Sequence, residues 1–158
     1  METTAQNDRQ RLKRFLAQYF HAKRRIRNLE KRLAAVRAEL RHPTLGSPPM
    51  DGMPHGTSIS SGAAALTLRE ADIEDRLQAQ IEAMTEAMLT VMDTLALLPE
   101  DSMEREILEL RHLDCMKFSK ITAAVHLTRS PCYEHYNRGL DMLLAIDAVR
   151  ERLSKYEG

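Results

Sequence analysis

Tryptophan is absent, and all aromatic residues together make up 4% of the 158-residue chain. A core built almost without large rings must come from Leu, Ile, Met and Ala, which is the palette of helices. Cysteine is as scarce: Cys115 and Cys132 are the two present, too few for a disulfide framework and expected to remain reduced thiols. No apolar run is long enough to cross a bilayer, and residues 1–14 lack the apolar stretch of a secretion signal, so a cytoplasmic protein with no membrane contact is expected. Missing too are the phosphate-binding Gly-x-x-x-x-Gly-Lys-Ser/Thr, the Gly-x-Ser-x-Gly elbow and the His-Glu-x-x-His metal motif. With no catalytic residues and no cofactor cradle legible, the expectation is a protein that is not an enzyme.

The net charge of zero conceals a division along the chain. Residues 1–42 hold 12 Lys/Arg against 4 Asp/Glu, a net of +8; residues 43–98 hold 2 against 8, a net of −6; residues 99–158 hold 9 against 11, a net of −2. A basic segment can bind nucleic acid, and it can equally pair with an acidic neighbour, the reading preferred here.

Apolar residues explain where such pairing would occur. Leu12, Phe15, Tyr19, Ala22, Ile26, Leu29, Leu33, Val36 and Leu40 recur at alternating spacings of three and four, uninterrupted by Gly or Pro until Pro43. That seam predicts one long basic helix over 1–42. Leu77, Ile81, Met84, Met88, Val91, Leu95 and Leu98 form a second seam, predicting an acidic helix over 67–98 that stops at Pro99. Between them, residues 43–66 are rich in Pro, Gly and Ser and read as a flexible loop. The two helices fit an antiparallel coiled-coil hairpin, and a parallel homodimer through the first seam fits nearly as well.

Residues 99–158 carry three shorter helical patterns. The first is introduced by Asp101 and Ser102, with Glu104 three residues after Asp101 as in a capping box, and carries Met103, Ile107, Leu110 and Leu113 inward. Asp114 and Cys115 make a turn, Phe118 to Leu127 a second helix, and Ser130-Pro131 the opening of a third that is expected to run to Tyr156. The late stripe Met142, Ile146, Val149, Leu153 and Tyr156 must be covered by the hairpin or by another subunit. The fold class is therefore all-α: a long coiled-coil helical hairpin followed by a helix-turn-helix module with an extended C-terminal helix.

Two helices joined by a tight turn, the second opened by Thr/Ser and Pro, are the elements of a helix-turn-helix, whose second helix enters the DNA major groove. Ile121, Val125, Leu127, Cys132 and Tyr136 can build the corner that holds this helix outward. Thr128, Arg129, Ser130, Tyr133, Glu134 and Asn137 are left as hydrogen-bonding groups on its outer face. Lys117, Lys120, Arg129 and Arg138 against Glu134 give the motif a local charge of +3, suited to phosphate. His112, Cys115, Cys132 and His135 also stand at His-x-x-Cys and Cys-x-x-His spacing, which could hold zinc. Packing is the preferred role for them, because Cys132 and His135 fall where the corner needs its core.

Residues 98–144 resemble region 4 of sigma-70 type factors and the small phage proteins built on it. The match is carried by Leu98-Pro99, Leu108-Glu109-Leu110-Arg111, Phe118, Ile121, Thr128-Arg129-Ser130 and Arg138-Gly139-Leu140. The long first helix and the Ser-Pro-Pro-Met-Asp-Gly-Met-Pro loop look like the ArpU and RinA late-gene activators of phages and mobile elements. Three positions depart from the pattern: His126 and Cys115 stand where Gly is usual, and Lys117 where a small cap is usual. The resemblance implies a transcriptional regulator that binds double-stranded DNA and can touch RNA polymerase. The other class left open is a structural or assembly protein, such as a DNA-packaging component or coiled-coil adaptor.

Overall fold

The computed structural model describes residues 2–42 and 58–156, and within them the fold is all-α, with seven helices and no strand. The predicted first helix is present as two, α1 (Glu2–Leu16) and α2 (Gln18–Arg41), separated at Ala17. The interruption is slight. Ala17 still donates to the Lys13 carbonyl and accepts from His21, each at 3.0 Å, while the Gln18 side-chain amide donates to the Phe15 carbonyl at 2.9 Å. A side chain bonding into the backbone ladder is a standard cause of a local break.

Helix α3 (Ser58–Leu95) begins inside the stretch expected to be loop. Ala63, Ala64, Ala65 and Leu66 explain the difference: they are the strongest helix formers, and together they outweigh the Ser residues and Gly62 before them. The remainder of the expected loop, residues 43–57, lies outside the described residues. Then follow α4 (Met103–His112), α5 (Phe118–Ala124), α6 (Arg129–Leu144) and α7 (Asp147–Lys155). The third helix of the module is thus divided, with Ala145 and Ile146 between α6 and α7. Helix α4 is capped by Ser102, whose Oγ accepts from the Arg105 N–H at 3.2 Å; the expected Asp101–Glu104 box is not the cap.

The chain divides into two compact units, one formed by residues up to 22 together with those from 84 onward, the other by residues 23–83. In the second, basic α2 and acidic α3 meet through Arg37, which donates to Glu70 at 2.8 Å and to Glu74 at 2.5 Å, and through Arg25, which donates to Gln80 at 3.0 Å. Ile26 and Leu33 are its buried seam residues on α2, and Leu77 is half-buried.

In the first unit, Leu12, Phe15 and Leu16 of α1 join Val91, Leu95 and Leu98, residues of α4 and α5, and Leu140, Leu143 and Val149 in one core. Helix α1 lies on α6 and α7. Arg9 donates twice to Asp141, at 2.6 and 2.5 Å, Arg11 donates to the Leu153 carbonyl at 3.0 Å, and Phe15 meets Tyr156 edge-on at 5.3 Å. The late apolar stripe is therefore covered by α1 from the same chain. Helices α4 and α6 approach so closely that a Cβ on Gly139 would stand 2.7 Å from Leu108 Cδ1 and 3.1 Å from Glu104 Cβ, so only glycine fits the crossing unmoved.

Candidate nucleic-acid interface

Helix α5 ends at Ala124, and the chain reverses through Val125 and His126 before Thr128 caps α6. His126 has φ 55° and Cys115, in the turn before α5, has φ 56°; among the described residues these are the two non-glycine positions with positive φ. They are the same two positions where the resemblance places glycine. The left-handed conformation costs a side chain about 1–2 kcal/mol, so the surrounding packing must enforce it. At His126 the turn is closed by the Leu127 N–H donating to Thr122 at 3.1 Å; at Cys115, by the Met116 N–H donating to Leu110 at 3.0 Å.

The enforcing corner is apolar. Ile121 and Cys132 are fully buried, Val125 and Tyr136 nearly so, and Leu127 packs against them half-buried. Tyr136 anchors the corner: its hydroxyl is hydrogen-bonded to His112 Nε2 at 3.1 Å, and its ring lies edge-on to Phe118 at 5.1 Å. Burial, assisted by the charges of Arg111 and Lys13, pushes the His112 imidazole down to about 3, so the ring is neutral at physiological pH. Burial likewise raises the Tyr136 phenol to about 12.

With its inner side fixed, α6 turns polar groups outward. Thr128, Arg129, Ser130, Glu134 and Arg138 are exposed, and Tyr133 and Asn137 are half-buried on the same helix. Lys117 and Lys120 are exposed at the start of α5. Lys117 caps that helix by backbone geometry alone, with no side-chain hydrogen bond.

Two residues that the sequence did not place at this face shape it. Glu104, buried on α4, accepts from His135 at 2.8 Å and from Arg138 at 3.3 Å, tying α6 to α4. Its carboxyl is held below the ordinary carboxylate range, first by the His135 hydrogen bond. The clue was its spacing: Glu104 stands three and four residues before Ile107 and Leu108, hence on the inward face of α4. The second is Arg111, whose guanidinium lies 5.1 Å from the centre of the Phe118 ring. Phe118 stacks on Tyr133 at 4.2 Å with 21° between the planes, and Arg129 lies 5.6 Å from the centre of Tyr133.

The four residues spaced for zinc are otherwise engaged. His112 holds Tyr136, His135 holds Glu104, Cys115 Sγ is directed at the Leu113 carbonyl at 3.7 Å, and Cys132 is buried in the corner. Among the described residues no three His, Cys, Asp or Glu side chains gather as a metal site, and no helix is long and apolar enough to cross a membrane. Comparison with protein-family models, curated proteins and solved structures finds no match for the chain.

Proposed function

We propose that the module formed by α4, α5 and α6 is a helix-turn-helix that binds double-stranded DNA. The observation that carries this reading is the division of α6: Cys132, Tyr136 and Leu140 are buried while Thr128, Arg129, Ser130, Glu134 and Arg138 face outward. A helix with its side chains is about 10–12 Å across and the major groove about 12 Å wide, so a helix anchored on one side can enter it with the other. Arg129, Ser130, Glu134 and Asn137 then meet base edges, with Tyr133 beside Arg129 on the same face, and Lys117, Lys120, Thr128 and Arg138 meet phosphates.

More particularly, the left-handed turns at Cys115 and His126 support the likeness to sigma-70 region 4, and with it a phage or mobile-element regulator of transcription that can touch RNA polymerase. Selection of binding sites from random duplexes tests the reading. A single enriched sequence is expected, and Asn137→Ala should weaken binding to it by about 1–3 kcal/mol with helicity unchanged. Absence of any enriched sequence, or full affinity in Asn137→Ala, counts against the recognition-helix assignment.

A further inference from the structure

Four side chains on three helices form a continuous series of cation–ring and ring–ring contacts. It begins at Arg111 on α4, held by donation from its Nη1 to the Met116 carbonyl at 2.8 Å, and passes through Phe118 on α5. Tyr133 on α6 lies nearly parallel to Phe118, and Arg129, one helical turn before Tyr133, lies 5.6 Å from the centre of its ring. Phe118 is itself wedged edge-on against Tyr136, which His112 holds from behind. Phe118 is thereby anchored to the corner and Tyr133 to Phe118, and Arg129 lies against that anchored ring.

The geometry points to Tyr133 as a positioning residue that pre-orients Arg129 to read a guanine, an assignment that rests on the DNA-binding reading above. Entropy and shape both favour this role. An exposed arginine must give up the freedom of several rotatable bonds when it makes a fixed contact, and a side chain already stacked loses less. A guanidinium held against a ring is limited in the directions it can take and retains N–H groups for donation. A planar edge with two parallel donors matches the O6 and N7 acceptors of guanine in the major groove, and no other base presents that pair of acceptors there. Lysine, a point charge without a plane, neither stacks in this way nor donates in a fork.

The test combines selected duplexes with variants of the full chain. Expected is a guanine at one operator position, with its preference over other bases falling about ten-fold or more in Arg129→Ala and Arg129→Lys. Tyr133→Leu, which keeps apolar bulk but offers no π face, should lower the same preference about two- to five-fold, while Tyr133→Phe retains it. Preferences at the remaining positions should not move. In the protein without DNA, the Arg129 δ-methylene protons should be shifted upfield by the Tyr133 ring and return to ordinary values in Tyr133→Leu.

Three results would overturn the assignment while leaving DNA binding intact: no upfield shift in the parent, loss of preference in Tyr133→Phe equal to that in Tyr133→Leu, or an Arg129→Ala variant that weakens every duplex alike with a shallower salt dependence. The last would make Arg129 a phosphate contact. A parent protein that shows the upfield shift but enriches no sequence would instead overturn DNA reading itself, and the guanine assignment with it.

Discussion

At the level of single residues, the module tolerates costs that glycine would avoid. His126 is exposed and held at φ 55°. Glycine reaches that region without steric penalty, although it has more freedom to lose on folding. His126→Gly should therefore raise stability in urea denaturation by about 0.5–1 kcal/mol, the difference between those effects. Unchanged or lower stability would mean that the imidazole makes a compensating contact.

His112 carries a second residue-scale consequence. Its folded value is about 3 against an ordinary 6.5, so as pH falls below 6.5 the unfolded chain takes up a proton that the folded chain refuses. Stability is thus full above pH 6.5 and declines as pH drops towards 3, by up to about 1.4 kcal/mol per pH unit. Glu104, depressed below its ordinary 4.5, contributes stability that is present above that value and lost as pH falls through its lowered one. Of these two groups, His112 is the one whose contribution changes between pH 6.5 and 4.5. Urea midpoints measured across that interval should fall less steeply in His112→Gln, which can still bond the Tyr136 hydroxyl. An equally steep profile in the variant would assign the titration elsewhere.

At the scale of elements, the ends of the helices differ in how well they are made. Ser102 satisfies the first turn of α4 through its hydroxyl, whereas Lys117 leaves the first turn of α5 without a side-chain acceptor. Lys117→Ser should stabilise the protein by about 1 kcal/mol, the usual worth of an N-cap. The same change removes one cation from the proposed phosphate contacts, so DNA affinity should fall alike for all sequences and its salt dependence should lose about one unit of slope. Thermal melting and salt titration of binding measure the two effects separately. A gain in stability with no loss of affinity would remove Lys117 from the interface.

For the whole molecule, the predicted first helix, present as α1 and α2, is divided between two duties. Leu12, Phe15 and Leu16 are buried in the core that carries α6 and α7, whereas Arg37 serves the other unit through exposed ion pairs with Glu70 and Glu74. Leu12→Ala should cost about 2–5 kcal/mol in urea denaturation, as for other fully buried leucines. Arg37→Gln should cost nothing measurable, because exposed pairs are screened by solvent. The opposite ranking would mean that charge pairing, and not the apolar seam, holds the chain together.

Periodicity and punctuation alone determined that this protein is all-α, that helices stop before Pro43 and Pro99, and that residues around Ile121, Val125, Cys132 and Tyr136 form a buried corner. Those are local properties: the side-chain spacing of a helix and the missing N–H of proline act wherever the segment lies. The outward character of Thr128, Arg129 and Ser130 was legible for the same reason, since the buried positions of a helix define its exposed ones. Tertiary structure decided the rest. Nothing in the seam from Leu12 to Leu40 says that its first part meets Leu140 and Val149 while its later part follows α3, because an apolar stripe names no partner. The break between α6 and α7, the burial of Glu104 against His135 and Arg138, and the series of contacts from Arg111 to Arg129 depend likewise on helices distant in the chain coming together. A carboxylate or a ring acquires its role from what faces it, and that is settled only when the core closes.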